Sequence, residues 1–273
     1  MFGYICPVCG KALAPEEKAM RCANGHSYDV ARSGYVNLLM SNAPGARRHG
    51  DDALMIKARR DFLELGHYRP LLDGICAMLT AHVGQDAHIL DAGCGDGWYT
   101  AQIAERLADA GISAELLGVD ISRDALKAAA RRCGDIGLAV ASVFRLPLEG
   151  ASCGAVVSIF APLADEEFGR VLKDDGLLLR VVPLEDHLWE LKQAVYDVPR
   201  KNPPDAEKPQ GFELADSAEI RYSFTLHSNK EILDLFAMTP YYYKSGKDDQ
   251  RKLETLNELE ITAGFGIRLW KKK

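Results

Sequence analysis

The chain has no apolar run of membrane-spanning length, and no basic-plus-apolar leader stands ahead of its first cysteine. The expectation is a cytoplasmic protein with no membrane partner. It has no internal repeat, which argues against a solenoid or propeller. It has no excess of positive charge: 33 Lys and Arg against 39 Asp and Glu give −6, unlike a uniformly basic nucleic-acid binder. It lacks the even cysteine count of a disulfide framework, carrying seven. What is there is an ordinary globular composition, 47% hydrophobic and 26% charged, and 273 residues suit one large domain plus a small one.

The charge is uneven. Residues 1–60 hold nine Lys and Arg against five Asp and Glu, a local balance of +4 that leaves −10 for the remainder. A basic front end on an acidic body either engages a polyanion locally or is a solvated surface. The same front end carries Cys6, Cys9, Cys22 and His26, that is C-x2-C, twelve residues, then C-x3-H. Two close pairs of soft or borderline donors suit one tetrahedral structural zinc. Gly10 and Gly25 sit beside the ligands, where tight turns aim backbone N–H groups at the sulfurs. A redox C-x-x-C would open a helix of a βαβ unit, and this pair precedes any such unit. Four donors leave no open position, so the zinc is expected to shape the chain and not to do chemistry. Cys76, Cys94, Cys133 and Cys153 lie in apolar runs and read as small buried hydrophobes.

Residues 1–37 therefore read as a zinc-binding module and 38–84 as a basic linker with helices. The first helix is predicted from an N-cap at Asp51 or Asp52, with Leu54, Ala58, Phe62 and Leu65 on one face and a stop at Gly66. A second follows Pro70. From residue 85 to 273 apolar strands alternate with helices: strands at 88–93, 115–120, 137–142, 154–160 and 176–182, and helices at 98–108, after Ser122, at 166–173 and at 187–196. That alternation predicts an α/β, Rossmann-like, mainly parallel sheet. Residues 199–211 read as an exposed loop. Strand 219–226, helices 229–238 and 248–258 and strand 259–270 complete the chain, the last two strands pairing antiparallel at the sheet edge.

The segment ILDAGCGDGWYT (89–100) places Gly93, Gly95 and Gly97 between a strand and a helix. Glycines there let a ligand approach the backbone. Trp98 stands where a dinucleotide fingerprint needs glycine or alanine. Asp91 and Asp96 would repel a pyrophosphate. S-adenosylmethionine carries a sulfonium and an ammonium instead, which carboxylates suit. Asp120 ends the next strand, 23 residues after Gly97, where an acid hydrogen-bonds ribose hydroxyls. Ser142 and Phe144 follow the third strand, where the adenine would lie, or they simply pack a loop. The pattern D-x-G-x-G-x-G with Asp120 points to a methyltransferase that uses S-adenosylmethionine.

With both signals in place the chain resembles the RlmA family, bacterial 23S rRNA (guanine-N1)-methyltransferases. The resemblance spans essentially the full length. It is carried by CPVCG (6–10), RCANGHSYDVARSGYVNLL (21–39), KARRDFLELGHYRPL (57–71), DAGCGDGWYT (91–100), FAP (160–162) and VVPLEDHLWELK (181–192). It implies zinc at Cys6, Cys9, Cys22 and His26, and cofactor contacts at Tyr68, at Gly97–Trp98 and at His187. It also implies a 23S rRNA partner and a homodimer whose zinc modules flank an RNA cleft. It names no single guanine, because its two branches modify different ones in the same hairpin region. The turn LKDDG (172–176) departs from the LKPGG common before the fifth strand.

Guanine N1 carries a proton that must leave for attack, so a base would help, and Asp165 and His187 are the candidates. The loop Phe160-Ala161-Pro162 lacks the Asn/Asp-Pro-Pro-aromatic pattern used on exocyclic amines. Arg47, Arg48, Lys57, Arg59 and Arg60 are candidate phosphate contacts or an ordinary solvated face. Two other readings stay open: a small-molecule methyltransferase, and a non-catalytic RNA-binding zinc protein with a relic cofactor fold.

Overall fold

The computed structural model describes residues 3–40 and 51–273. Three short antiparallel strands come first: β1 (Leu13–Pro15), β2 (Ala19–Cys22) and β3 (Ser27–Asp29), paired in that order. Then follow β4 (Tyr35–Asn37), α1 (Ala53–Glu64), α2 (Arg69–His82), β5 (Ala87–Ala92), α3 (Trp98–Asp109), β6 (Ala114–Asp120), α4 (Arg123–Arg132) and β7 (Gly137–Val140). The rest is β8 (Cys153–Ile159), α5 (Asp165–Val171), β9 (Leu172–Pro183), α6 (Trp189–Val195), β10 (Phe212–Leu226), α7 (Asn229–Ala237), α8 (Tyr241–Lys244), α9 (Lys247–Arg251) and β11 (Leu259–Lys272).

The large sheet runs β10-β11-β9-β8-β5-β6-β7-β4. β4 through β9 pair parallel, and β10 and β11 pair antiparallel at one edge, as the pattern of the last two strands predicts. The chain winds outward from β5 to β6 and β7, then reverses to β8 and β9. A crevice therefore opens beyond the carboxyl ends of β5 and β8, the place where such sheets bind ligands.

Local chemistry sets most element ends. The Asp52 carboxylate accepts from the Met55 N–H, Ser122 Oγ from Ala125 and Ser228 Oγ from Glu231, each satisfying an orphan donor of a first helical turn. Several boundaries differ from the sequence reading. The buried face of α1 is Met55, Ile56, Ala58, Phe62 and Leu63, while Leu54 and Leu65 are about half exposed, at 49% and 48%. Two apolar stripes are open to this helix, and packing against α7 and α4 selects one. Helix α6 begins at Trp189, because Leu188 takes a left-handed conformation (φ 58°, ψ 36°) and breaks the turn after His187. The predicted helix at 248–258 shortens to Lys247–Arg251, and beyond it Asn229 Nδ2 donates to the carbonyls of Leu253 and Leu256. Residues 173–176 fall inside β9 as a tight bulge: Leu172 faces Cys153 and Leu177 faces Ala155, with Asp175 at φ 62°.

The front end is not a separate lobe. β4 completes the edge of the large sheet beside β7. Tyr4 is 4% exposed, and its hydroxyl lies 2.8 Å from the Gly118 carbonyl and 2.9 Å from that of Gly137. Tyr4, Cys6, Leu13, Cys22 and Val36 share one core with Leu90 and Leu178 of the sheet, Phe168 of α5 and Leu148. The opposite face of the sheet packs against α2, α3, α6 and α7. Among the described residues no helix is long and apolar enough to cross a membrane.

Candidate active site and metal centre

The four predicted ligands converge. The donor atoms of Cys6, Cys9, Cys22 and His26 all lie within 4.8 Å of one another. Cys9 Sγ and Cys22 Sγ are 3.6 Å apart, and His26 Nδ1 is 3.5 Å from Cys6 Sγ and 3.3 Å from Cys22 Sγ. A tetrahedral zinc with Zn–S bonds of about 2.3 Å has S···S edges of about 3.8 Å, so the set fits one ion. Gly10 and Gly25 take φ of +71° and +83°, closing the two ligand turns through Gly10 N–H to the Cys6 carbonyl and Gly25 N–H to the Cys22 carbonyl. Spacing could not find Tyr28, whose hydroxyl lies 3.1 Å from Cys6 Sγ. Burial pushes the Cys6 thiol up, but this hydroxyl and the N–H groups of Cys9 and Val8 outweigh it and leave the thiol at about 6. These donors orient a thiolate ligand from outside the coordination sphere. Cys76, Cys94, Cys133 and Cys153 are all buried and free.

A cavity of about 720 Å³ opens at the crevice between β5 and β8. The glycine loop forms one wall. Gly93, Gly95 and Gly97 all have positive φ, but for different ends. A Cβ on Gly97 would meet Cys133 Sγ at 2.5 Å and Ala129 Cβ at 3.0 Å, so this glycine serves the packing of α4 on the loop. A Cβ on Gly93 would strike Ala161 Cβ at 2.7 Å, which places the loop after β8 against the loop after β5. Gly95 faces the cavity. Gly97 and Trp98, expected at the cofactor, do not line it: Trp98 is 4% exposed in the core, and Tyr99 lines the wall in its place.

Among the described residues, four carboxylates line the cavity: Asp51, which pairs with Arg59, and Asp91, Asp96 and Asp120. Asp91 accepts from Thr100 Oγ1 at 2.6 Å, and burial pushes it up to about 7, against the hydroxyl and with the charge of Asp120 adding to the rise. Asp120 accepts from the N–H groups of Gly95 (2.9 Å) and Ser122 (2.8 Å), and burial raises it too. Asp96 is also raised by burial, opposed by Arg132; one oxygen accepts from Trp98 N–H, and the other has no hydrogen bond among the described residues and stands 3.7 Å from Arg132 Nη2. Buried acids held above their ordinary range form a wall that favours a positively charged occupant. Ser142 and Phe144 line the cavity beyond Asp120.

The Phe160-Ala161-Pro162 loop lines the other end together with Tyr68, His187, Asn202, Tyr241 and Lys244. Phe160 is 44% exposed and takes φ 56°, a left-handed conformation unusual for a bulky residue. Tyr68 is buried, with its hydroxyl 3.5 Å from His187 Nε2. His187 Nδ1 accepts from the Gly264 N–H at 3.4 Å, which places the ring proton on Nε2. Burial, helped by the charge of Lys192, lowers His187 to about 3. In this arrangement the Nδ1 lone pair of the neutral imidazole is engaged by the Gly264 N–H, and Nε2 faces the Tyr68 hydroxyl. Asp165, the other candidate base, does not line the cavity, and its two oxygens accept from the N–H groups of Glu166 and Gln210. Asn202 was invisible in a Pro- and Lys-rich stretch. Its Nδ2 donates to the carbonyls of Leu184 and His187, and its Oδ1 accepts from Lys192 Nζ and the Tyr241 hydroxyl, tying α8 to the cavity.

Of the candidate phosphate contacts, Arg47 and Arg48 lie outside the described residues. Lys57 and Arg60 are exposed and both pair with Asp61. Arg59 turns inward, pairs with Asp51 and lines the cavity.

Comparison with known proteins gives the same two parts. Residues 4–43 match the family described as RlmA, N-terminal, a zinc ribbon, and residues 89–176 match a methyltransferase domain. A Micromonospora griseorubida protein carrying the name 23S rRNA (guanine-N1)-methyltransferase is 37% identical over 258 residues, covering 86% of this chain and 85% of that one. The 23S rRNA (guanine(748)-N1)-methyltransferase of Streptomyces fradiae is 38% identical over 193 residues, covering 70% of this chain and 66% of that one. Among solved structures, the [4+2]-cyclase SpnF superposes with a TM-score of 0.50 at 16% identity, covering 74% of this chain and 80% of that one. That likeness shows the fold alone, and a cyclase on this fold shows that fold does not settle chemistry.

Proposed function

The chain belongs to the RlmA family of 23S rRNA (guanine-N1)-methyltransferases, and from that premise we propose that it transfers a methyl group from S-adenosylmethionine to N1 of a guanine in a 23S rRNA hairpin. One observation carries the reading: a four-ligand zinc module and a methyltransferase sheet joined in one chain, matched by such a relative over most of both lengths.

S-adenosylmethionine supplies an electrophilic sulfonium methyl, and transfer is an in-line displacement, so positioning and exclusion of water do most of the work. In this reading Asp91 and Asp96 complement the positive end of the donor, Gly93 and Gly95 let it lie against the backbone, and Asp120 meets the ribose. Ser142 and Phe144 flank the adenine. Tyr68, fixed by His187, closes the donor side. The guanine, turned out of its stack, enters beside Phe160. As N1 loses its proton, charge moves to O6. Lys244 lines the cavity from α8 and makes no ion pair among the described residues. Lys244 then stabilises the O6 charge, and the proton leaves to solvent. The zinc ion, held by Cys6, Cys9, Cys22 and His26, keeps the ribbon in shape, with Lys57 and Arg60 meeting RNA phosphates. The resemblance further supports a cytoplasmic homodimer, which analytical ultracentrifugation tests.

The deciding experiment is methylation of 23S rRNA from a strain lacking the enzyme, read by primer extension, because N1 methylation blocks Watson–Crick pairing. A stop at one guanine is expected. Turnover of small molecules without RNA labelling would favour the small-molecule reading, and absence of cofactor binding by calorimetry would favour the non-catalytic one.

A further inference from the structure

We propose that Arg59 and Tyr99 form a carboxylate receptor that reads the amino-acid carboxylate of the methyl donor; the inference rests on the S-adenosylmethionine reading above. Arg59 comes from the middle of α1, between Lys57 and Arg60 on a face that the sequence presents as solvated. Its guanidinium instead enters the cavity, with Nη1 3.6 Å from the point where a Cβ on Gly95 would lie. Asp51 takes Nη1, and the Met238 carbonyl takes Nη2 at 3.4 Å. No hydrogen bond to Nε occurs among the described residues, so part of the fork stays available. Tyr99, in the first turn of α3, lines the same wall. Its hydroxyl is buried and has no hydrogen-bond partner among the described residues. A buried hydroxyl without a partner is costly, and an incoming acceptor repairs it. Burial holds the Tyr99 proton on, with Tyr222 adding to the rise and the charge of Arg59 opposing it, so the hydroxyl stays a donor on the cavity wall that Arg59 also lines.

Among the described residues, the acids of the cavity disfavour other seats for a carboxylate. Asp91, Asp96 and Asp120 would repel it. The other cation that lines the cavity among the described residues, Lys244, stands in α8 with Tyr241, which hydrogen-bonds Asn202. A zwitterionic amino-acid end thus has its ammonium on the acids and its carboxylate on Arg59 and Tyr99. Asp51, paired with Arg59, holds the guanidinium in place.

The test is binding of S-adenosylmethionine and of decarboxylated S-adenosylmethionine, which keeps the sulfonium and the amine, measured by calorimetry on the full chain. The wild type is expected to prefer the carboxylate-bearing ligand by roughly 10- to 100-fold, the effect of charge-assisted hydrogen bonds. Arg59→Met should erase most of that preference, Arg59→Lys should restore part of it, and Tyr99→Phe should cut it about tenfold. Each variant should lose far less affinity for the decarboxylated ligand than for S-adenosylmethionine, and its melting temperature by calorimetry reports that it is folded. No preference in the wild type, or variants that weaken both ligands alike, would overturn the receptor while leaving the cofactor reading intact. A wild type that binds neither ligand would overturn both.

Discussion

Replacing Phe160 separates a strained backbone from a working ring. Phe160 sits at φ 56° just after β8, its N–H donates to the Val181 carbonyl at 3.1 Å, and its ring centroid lies 5.8 Å from that of Phe265. The left-handed conformation costs a non-glycine residue about 1–2 kcal/mol, which Phe160→Gly relieves. Glycine returns about 0.5–1 kcal/mol through the unfolded state. With the ring 44% exposed, its lost burial is about half of the 1.5–3 kcal/mol that a fully buried side chain contributes. These effects nearly cancel, so Phe160→Gly should move the melting temperature by no more than about 3 °C. Phe160→Ala keeps the strain and loses the ring, and should be the less stable of the two. If the ring is the platform for a turned-out base, either variant loses about 1–3 kcal/mol of stacking, a roughly 5- to 150-fold fall in kcat/KM for RNA. Phe160→Tyr should keep most of it. The assays are differential scanning calorimetry, cofactor binding by titration calorimetry, and RNA methylation at varied substrate. An unchanged kcat/KM, or a fall matched by an equal loss of cofactor affinity, would refute the stacking argument.

Asp91 gives a pH dependence. Because burial raises it to about 7 in the folded chain, its protonated form is favoured there. Its contribution to stability is full below the ordinary carboxylate range and is lost as pH rises through about 7. A positively charged ligand favours the carboxylate, so cofactor affinity should rise through this window with proton release, read by calorimetry in two buffers; Asp91→Asn should abolish the release. Cys22→Ser should drop zinc well below one per chain by atomic absorption and lower the melting temperature of the whole protein, since Cys22 shares a core with the sheet. A melting curve that lost only a small separate transition would contradict that shared core. Gly97→Ala should destabilise by about 2–5 kcal/mol in denaturant titration, because its Cβ meets Cys133 Sγ at 2.5 Å in a left-handed backbone. Lys244→Met should lower kcat about 100-fold with cofactor affinity kept, and a change confined to KM would argue against a role in stabilising O6.

The predicted zinc ligands and the glycine loop were legible because each is a local spacing. C-x2-C and C-x3-H each wrap one turn, and a strand–glycine–helix junction is written in consecutive residues. Alternating apolar strands likewise announced the parallel sheet, and the final two strands announced its antiparallel edge. Helix faces were less legible. Leu54 and Leu65 satisfy helical periodicity as well as Met55 and Leu63 do, and only the neighbours of α1 choose between them.

By itself, then, the sequence determined the donor set for a metal, the acids and glycines at the end of β5, and a mainly parallel sheet with an antiparallel edge. Tertiary structure alone decided which groups meet across long stretches of chain. It docked Tyr4 onto the carbonyl of Gly118, 114 residues away, and so made the zinc module part of the sheet's own core. It brought Tyr68 to His187, 119 residues away, and fixed the imidazole as neutral. It placed Asp165 outside the cavity and Arg59 inside it. The physical reason is that burial and field are sums over neighbours from distant segments. Spacing names which residues can act, and only the packed fold sets the protonation, partners and direction of each.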